Sequence, residues 1–401
     1  MIPKGTVIYS KKSFKRLFIV LSILIVFPGI LFSQVKTGAE RTEEYLPLLE
    51  GKKIGLVANH TSYIGKTHLV DSLVSLGVDL VKIFGPEHGF RGNMADGASI
   101  ENGIDPKTGL PVISLYGSSK KPSEDDMGGL DLVIFDIQDV GLRFYTFIST
   151  MQYVMEACAE NEVDLLVLDR PNPNGFFIDG PVLETEFKSF VGMQPIPVVH
   201  GMTVAEYAQM INEEGWLENG VKCNLSYISC LNWDHRKYYD LPVNPSPNLP
   251  NMTSVYLYPS LCFFEGTIMS IGRGTDFPFQ VYGHPKYKAT GFSFSPRSIE
   301  GASVNPKFKG EVCNGVDLSS LPDSFFKDNS GIILHWIIDA YDQLKDEGGF
   351  FSAYFVKLAG TKKLQEQIEN GVSANAIRAG WKGDLQKFQE IRKKYLLYRD
   401  F

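Results

Sequence analysis

The feature that most constrains the fold is a repeated alternation of short apolar runs with segments of helical spacing, which begins at Lys53. Strand and helix that repeat with short connections predict an α/β fold made of parallel βαβ units with right-handed crossovers. The sequence predicts strands over 54–58, 78–84, 112–116, 132–136 and 165–169, and helices over 69–76 and 150–161.

Polar residues follow these strands at matching places. The carboxyl ends of parallel strands gather on one edge of the sheet, so several polar strand ends together predict a ligand site there. A single carboxylate after a strand is often only a helix cap. The residues of this set are Asn59, His60, Glu87, His88, Asp136, Gln138, Asp139, Asp169, Arg170 and Asn172, and the apolar run 196–199 leads into His200 in the same way.

One of these strand ends holds Glu87 and His88 in an unusual loop. The run 78–84 stops at Gly85-Pro86, and glycines recur at 89 and 92. Glycine allows tight turns and proline restricts one backbone dihedral, so the polar groups between them can be held firmly. The alternative is an ordinary polar surface loop.

Several classes of site lack their usual signatures. No G-x-G-x-x-G follows the first strand, and neither a phosphate-binding loop nor a G-x-S-x-G nucleophile elbow occurs. A metal site built from His60, His88, Asp136 or His200 remains an alternative, but no H-E-x-x-H helix supports it. We therefore expect no metal and no cofactor. The net charge of −7 gives no reason to expect nucleic acid as a partner.

The amino terminus has the pattern of a secretory signal peptide over residues 1–33. Lys11, Lys12, Lys15 and Arg16 precede an apolar stretch from 17 to 27, and Pro28-Gly29 then break it. The stretch is short for a spanning helix, which makes an uncleaved anchor the weaker alternative. We expect an exported protein, periplasmic or secreted, with no stable membrane insertion after cleavage. The sequence does not indicate an oligomeric state.

The five cysteines are scattered and form no C-x-x-C pair, which argues against a zinc site and a disulfide framework. Buried free thiols are the favoured interpretation, with a Cys223–Cys230 bridge as the alternative in an oxidising compartment.

Composition changes near Leu241, where four prolines between 242 and 250 indicate a domain boundary. Beyond it, glycine-rich turns carry Glu265, Arg273 and Asp276. Arginine in such a loop suits a substrate carboxylate, although a surface salt bridge is the alternative. The last hundred residues predict helices over 332–345, 362–370 and 383–395 and a strand over 350–357.

Short motifs follow one another in a fixed order, namely 58–61 (ANHT), 85–89 (GPEHG), 136–143 (DIQDVGLR), 169–173 (DRPNP), 200–203 (HGMT), 245–248 (PSPN), 265–267 (EGT) and 272–275 (GRGT). This ordered set resembles the bacterial exo-β-N-acetylmuramidases, the NamZ-type peptidoglycan glycosidases. The resemblance implies a Rossmann-like catalytic domain over 40–250, a smaller α/β domain over 251–401 and a cleft between them. It implies removal of terminal N-acetylmuramic acid from the non-reducing end of peptidoglycan fragments, with muramic-acid saccharides as partners. The family's proposed catalytic glutamate falls on Glu87.

Glycosidic cleavage needs an acid for the leaving oxygen and usually a second carboxylate. Apolar neighbours of Glu87 could raise its pKa, as suits a general acid, and His88 or His60 could orient it. For the second group Asp136, Asp139, Glu265 and Asp276 all qualify by position, and the acetamido group of the substrate is a further alternative.

Muramic acid also carries a lactyl carboxylate, which an arginine can bind through a bidentate fork. Arg143 is our first choice, because it follows the fourth strand and Tyr145 beside it could stack on the sugar ring. Arg170 and Arg273 are the next candidates, and an internal ion pair with Asp139 or Asp136 is the structural alternative for Arg143.

Two rival functions remain. Two α/β domains around a cleft also describe exported binding proteins that close on their ligands. A deacetylase or amidase that uses metal-bound water would need three metal ligands.

The amino-terminal pattern yields the first testable prediction. Because the basic region, apolar region and helix breaker stand in signal-peptide order, mass spectrometry of the native protein is expected to find a mature amino terminus between Gln34 and Glu40. An intact Met1 on membrane-embedded protein would contradict it.

Overall fold

The computed structural model describes residues 34–86, 89–91, 102–117 and 119–401, together with Met1 and Gly5. Its central feature is a sheet of seven strands in the order β5-β6-β4-β1-β7-β8-β9, parallel except for the β5–β6 pair. The strands are β1 (Ile54–Ala58), β2 (Tyr63–Ile64), β3 (Thr67–His68), β4 (Leu80–Gly85), β5 (Gly103–Ile104), β6 (Pro111–Ser114), β7 (Leu132–Asp136), β8 (Asp164–Leu168), β9 (Leu225–Ile228), β10 (Val281–His284), β11 (Phe292–Phe294) and β12 (Cys313–Asp317).

Helices cover the central sheet and form most of the carboxyl-terminal region, where β10, β12 and β11 make a small antiparallel sheet. The helices are α1 (Thr42–Leu49), α2 (Leu69–Ser75), α3 (Glu124–Met127), α4 (Phe147–Glu160), α5 (Val204–Glu213), α6 (Met252–Leu261), α7 (Asp323–Asp328), α8 (His335–Leu344), α9 (Ala353–Ala359), α10 (Lys363–Glu369) and α11 (Ala374–Arg392). Among the described residues, no helix is both long enough and apolar enough to cross a bilayer.

The strand order places a topological switch between β1 and β7. From β1 the chain moves through β4 and β6 on one side, and from β7 it moves through β8 and β9 on the other. In open α/β sheets, ligands bind beyond the carboxyl ends of the strands near such a switch point. All five residues of β1 and of β7 are buried, which explains why both strands read as unbroken apolar runs.

The carboxyl-terminal region shares its core with the sheet. One buried cluster joins residues of β7 and α4 to residues of α6, α8, α9 and α11. The predicted α/β class, with a mainly parallel sheet and a smaller carboxyl-terminal region, is confirmed. The boundary at residue 250 stays a prediction.

One predicted strand end and one predicted strand are wrong. The run 196–199 lies outside the sheet and makes isolated antiparallel bridges through Val199 to Leu142 and Asp179, so His200 is not at the end of a sheet strand. The segment 350–357 mostly forms α9. The side chain of Ser352 accepts a hydrogen bond from Tyr354 N and caps this helix. The cap and the helical spacing of the buried residues outweigh the aromatic, strand-like composition.

All five cysteines are buried and unbridged, which confirms the free-thiol interpretation. Cys230 instead donates its thiol hydrogen to the backbone oxygen of Asp169, with an S–O distance of 3.3 Å.

Candidate active site

The loops on the two sides of the switch point are joined by hydrogen bonds. Gln138 N donates to Thr61 Oγ1 at 3.0 Å, and the Ser62 hydroxyl donates to the backbone oxygen of Asp136. Both contacts are buried, where a hydrogen bond left without its partner is costly. The loops after β1 and β7 are therefore fixed relative to each other.

Asn59 shapes the loop after β1. Its Oδ1 accepts from Thr61 N at 2.9 Å and from the Thr61 hydroxyl at 2.6 Å, and its backbone oxygen lies 2.9 Å from His68 Nε2. The residue is fully buried, and its Nδ2 has no hydrogen-bond partner among the described residues. The sequence predicted a substrate-binding residue, and the structure shows a buried turn with one remaining donor.

Asp136 and Arg170 form a buried ion pair. Arg170 donates from Nε and Nη2 to the two carboxylate oxygens of Asp136 at 2.6 and 2.9 Å, and both side chains are buried. This bidentate pair ties the end of β7 to the end of β8. Because breaking a buried pair leaves an uncompensated charge, both residues are committed to the fold.

Asp139 is a buried carboxyl with little to stabilise its charge. Its Oδ2 accepts from Gly141 N at 2.6 Å, while its Oδ1 has no hydrogen-bond partner among the described residues. Burial raises the pKa of this carboxyl to about 7, which outweighs the backbone hydrogen bonds. A carboxyl with such a pKa can exchange a proton near neutral pH, yet Asp139 is not among the residues that line the cleft described below.

Asp169 and His200, two further residues predicted to bind the substrate, are buried against other parts of the protein. Asp169 accepts from Ala205 N at 3.0 Å, at the start of α5, and from the Tyr398 hydroxyl at 2.6 Å. His200 is fully buried, and burial lowers its pKa to about 3, so the imidazole is neutral. Its Nδ1 accepts from Met202 N at 3.2 Å, which leaves the ring proton on Nε2.

The amides of Gln138 and Asn172 fasten neighbouring loops. Gln138 Nε2 donates to the backbone oxygens of Asp139 and Pro171, both at 2.8 Å.

A side chain at Gly141 would place its Cβ 2.2 Å from Asn172 Oδ1, and the φ of this glycine is +78°. Glycine is therefore required where the chain turns away from β7.

Arg143 has a different set of partners from the one expected. Its Nη1 donates to the backbone oxygens of Pro181 and Ile196, both at 2.7 Å. Its Nη2 donates to those of Leu358 and Ala359 at 2.9 and 2.7 Å. The side chain is 1% exposed, so the guanidinium joins the loops beside the sheet to the end of α9, and Arg143 does not line the cleft described below.

A cleft of about 750 Å³ opens between this edge of the sheet and the carboxyl-terminal region. Aromatic rings, hydroxyls, amides and a few charged groups line it, a composition common in ligand sites. Its lining includes Tyr116, Lys120, Tyr145, Phe190, Tyr258, Glu265, Arg273 and Tyr354.

Glu265 and Arg273 form a half-buried pair on the wall of this cleft. Arg273 Nε donates to Glu265 Oε1 at 2.7 Å, and the guanidinium lies 5.0 Å from the ring centre of Phe279. Lys307 Nζ donates to the backbone oxygens of Glu265, Thr267 and Met269 at 3.2, 2.5 and 3.3 Å. Among the described lining residues Glu265 alone carries a carboxylate.

The other predicted residues are divided between the cleft and the surface. Tyr145 lines the cleft, and its hydroxyl donates to Pro245 O at 2.6 Å. His60 is half-buried, with Nε2 2.9 Å from Asn244 O. Asp276 lies on the surface in an ion pair with Arg297 and does not line the cleft.

Glu87 and His88 lie outside the described residues, so their predicted catalytic roles stay predictions. Within the described part of the chain, no group of three or more His, Cys, Asp or Glu side chains is arranged to hold a metal ion.

Sequence reasoning missed Tyr116 and Lys120, although the signal was present. They follow β6, a strand that the sequence predicted, and the strand-end rule applied there would have found them. Phe190 and Tyr354 belong to irregular or helical segments with no such rule, and only the folded chain brings them to the cleft.

Comparison with known families gives two matches that together span most of the chain. Residues 54–253 match the family described as "Exo-beta-N-acetylmuramidase NamZ, N-terminal". Residues 256–398 match the family described as "Exo-beta-N-acetylmuramidase NamZ, C-terminal".

Individual relatives agree with these matches. The chain is 40% identical over 387 residues to the peptidoglycan beta-N-acetylmuramidase NamZ of Bacillus subtilis, covering 91% of this chain and 92% of that protein. A DUF1343 family protein of Bacteroides fragilis has a crystal structure with a TM-score of 0.86, 49% identity, and coverage of 92% of this chain and 100% of that one. A second DUF1343 family protein of the same organism has a TM-score of 0.76 and 29% identity, with coverage of 91% and 99%.

The hydrogen bonds of Arg143 yield a stability prediction. Arg143→Met keeps the apolar stem but leaves four buried carbonyls without their donor, so the free energy of unfolding is expected to fall by about 3 kcal/mol or more. Urea denaturation measures this loss. The matched control Arg236→Met removes an exposed ion pair with Asp234 and is expected to leave the free energy of unfolding close to its wild-type value. Equal stability of the two variants would contradict the structural role of Arg143.

The buried carboxyl of Asp139 predicts a pH dependence of stability. Its pKa is about 7 in the folded protein and about 3.9 in an unfolded chain. The folded state therefore holds the proton to higher pH, and this group's contribution to stability is lost as pH rises from about 4 to about 7. Asp139→Asn removes the titration, so its melting temperature relative to wild type should rise between pH 4.5 and pH 8. Asp346→Asn, at an exposed carboxylate, is the control, and parallel pH profiles for all three proteins would rule out the effect.

Proposed function

The chain belongs to the exo-β-N-acetylmuramidase NamZ family, and on this premise we propose that it is an exo-acting glycosidase. It hydrolyses terminal N-acetylmuramic acid from the non-reducing end of peptidoglycan fragments. The observation that carries this proposal is that the two halves of the family match consecutive segments, 54–253 and 256–398. The 750 Å³ cleft, with aromatic rings beside charged and amide groups, suits a sugar that has both apolar faces and polar edges.

We assign the general acid to Glu87, as the family resemblance implies. This residue comes two positions after the end of β4, and β4 pairs with β6 through Gly85 and Ser114. The segment after β6 contributes Tyr116 and Lys120 to the cleft. The chain that leads to Glu87 therefore starts at the edge of the sheet that borders the cleft.

We assign the second carboxylate to Glu265. Of the four carboxylates that qualified by position, Asp136 is paired with Arg170, Asp139 is buried, and Asp276 is in a surface ion pair. Glu265 borders the cleft, and Arg273 Nε holds one of its carboxylate oxygens in place, as suits a base, a nucleophile or an electrostatic stabiliser.

We assign recognition of the lactyl carboxylate to Arg273. Arg143 and Arg170 are buried and donate to protein partners, and Arg273 lines the wall of the cleft. Its Nε is held by Glu265 and its guanidinium is close to the ring of Phe279. These contacts fix the guanidinium plane, which is the preorganisation that bidentate carboxylate binding requires.

We also propose that the protein is exported through the predicted signal peptide and acts on muramic-acid saccharides derived from peptidoglycan. Peptidoglycan lies outside the cytoplasmic membrane, so an enzyme for its fragments meets them after export. The basic and apolar residues of 11–27 support this proposal.

A chromogenic N-acetylmuramic acid glycoside tests the proposed function and separates it from its rivals. The wild-type protein should release the chromophore, and a chelator should not slow the release. An exported binding protein would bind the glycoside without cleaving it. Activity lost in chelator and restored by metal would instead favour a metal-dependent hydrolase.

Glu87→Gln is expected to abolish turnover on a glycoside with a poor leaving group, because an amide cannot donate the proton that the departing oxygen needs. General acid catalysis is typically worth about 10²–10⁴-fold, and kcat should fall by that order while the melting temperature is kept. Glu390→Gln, an exposed residue on α11, is the matched control and should retain wild-type kcat. Activity of Glu87→Gln within about threefold of wild type would remove Glu87 from the role.

Arg273→Lys is expected to lower kcat/KM far more on muramic-acid glycosides than on N-acetylglucosamine glycosides, which lack the lactyl group. Loss of a charge-assisted bond to a carboxylate corresponds to about 1.5–3 kcal/mol, or about 10- to 150-fold. Arg143→Lys is the comparison, because a structural arginine should affect both substrates equally. An equal loss on both substrates in Arg273→Lys would refute the assignment.

A further inference from the structure

A second groove, of about 390 Å³, lies beside the cleft. The hairpin between Ser189 and Gly192 separates the two, and its ends exchange backbone hydrogen bonds of 3.0 and 2.9 Å. Phe190 at the tip of this hairpin lines both the groove and the cleft. A ligand that leaves the cleft past Phe190 therefore meets this groove next.

The walls of the groove are aromatic. Tyr153 and Phe190 stack with their ring planes 13° apart and their centres 5.9 Å apart, and Trp216 stands among the other lining residues. All three side chains are half-buried, so part of each ring borders the groove while the rest is packed. Aromatic faces that are held in place offer contact area at little conformational cost.

The floor is a connected row of polar groups. Gln194 Nε2 donates to Gln152 Oε1 at 2.9 Å, and Gln152 Nε2 donates to Glu156 Oε1 at 2.9 Å. Glu156 is 1% exposed, and its Oε2 has no hydrogen-bond partner among the described residues, with Lys121 Nζ 3.8 Å away. The Ser189 hydroxyl is likewise buried without a partner in the described part of the chain. Buried polar atoms of this kind usually receive a partner, from the protein or from a ligand.

Two consecutive lysines contact residues that line the cleft and the groove. Lys120 Nζ lies 5.2 Å from the ring centre of Phe190 and its residue lines the cleft. Lys121, the next residue, reaches Glu156 and Glu160. The segment after β6 thus lines the cleft through Lys120 and approaches Glu156 of the groove through Lys121.

We propose that this groove binds the part of the glycan that the reaction releases, namely the amino-sugar residues on the reducing side of the scissile bond. The proposal rests on the proposed exo-glycosidase function. A pyranose ring has C–H faces that suit Tyr153 and Trp216, and hydroxyl and acetamido edges that suit Gln194, Glu156 and Ser189. An apolar peptide would leave that polar floor unsatisfied, at a free-energy cost.

The wild-type protein provides a test that needs no variant. Substrates with terminal N-acetylmuramic acid and one, three or five further sugars should show kcat/KM rising with length, mainly through a lower KM, and then levelling off once the groove is filled. Cleavage of the chromogenic monoglycoside in the same preparation shows that the proposed function holds. Equal kcat/KM at every length, with the monoglycoside cleaved, would overturn the groove and leave the function intact.

Variants of Trp216 test whether the dependence of kcat/KM on substrate length arises in the groove. In Trp216→Ala, the ratio of kcat/KM on the longest substrate to kcat/KM on the monoglycoside is expected to fall by about tenfold, the order of one lost stacking contact. Trp216→Phe keeps a ring and should recover most of the ratio. The control Tyr227→Ala removes an exposed ring from β9 and should leave the ratio at its wild-type value.

The ratio distinguishes binding in the groove from damage to the fold. A merely structural role for Trp216 would lower both kcat/KM values together and keep their ratio, which would overturn the proposal. If Trp216→Ala does not fold, Lys188→Glu, at an exposed lysine on the groove, is compared in the same way. It is expected to lower the ratio, because the new carboxylate would repel the further lactyl carboxylates of a longer fragment. An unchanged ratio in Lys188→Glu would overturn the proposal equally.

Discussion

The structure depends on the burial of one cation. The guanidinium of Arg143 is enclosed among backbone oxygens of Pro181, Ile196, Leu358 and Ala359, which are 38 to 216 residues away in the sequence. Burial lowers its pKa to about 9, so the group is still charged at neutral pH. Removing an ion from water costs several kcal/mol, and the aligned carbonyl dipoles offset that cost only while all of them stay in place. The loop 181–196 and the end of α9 are therefore positioned together or not at all.

Helix α9 links Arg143 to the wall of the cleft. Its last residues hold Arg143, and its first turn presses against the segment that carries Glu265. A Cβ at Gly266 would lie 2.4 Å from the Cα of Phe355, and Ser352 N donates to Gly266 O at 2.8 Å. One short helix therefore sets the position of the loop that bears the hairpin 189–192 and of the Glu265 turn. The two regions border the same cleft, so its width depends on contacts outside it.

The fold was largely predictable because its strongest signals are local. Apolar runs that end in turn residues gave the central strands, and the strand-end rule gave the loops of the switch point. The segment that forms α9 is rich in aromatic residues, a composition typical of strands. In the prediction this signal outweighed the helix cap at Ser352. The partners of Arg143 could not be predicted, since four carbonyls distant in the sequence leave no pattern around an arginine. The same holds for Phe190, which reaches the cleft only through the folded hairpin.

The position of a carboxylate after a strand also does not show whether it can take part in catalysis, because that depends on how deeply it is buried. An ionised carboxylate is unstable in the protein interior without a partner. Each carboxyl group buried on this edge of the sheet is therefore accommodated in a different way. Asp136 takes Arg170 as a counter-ion, Asp139 keeps its proton until about pH 7, and Asp169 accepts hydrogen bonds from α5 and Tyr398 while burial raises its pKa to about 6. Glu265 differs from these three carboxyl groups in its location, because it is half-buried beside Arg273 on the wall of the cleft. A carboxylate in that position is open to a ligand, which is why the second catalytic group is assigned to the cleft wall.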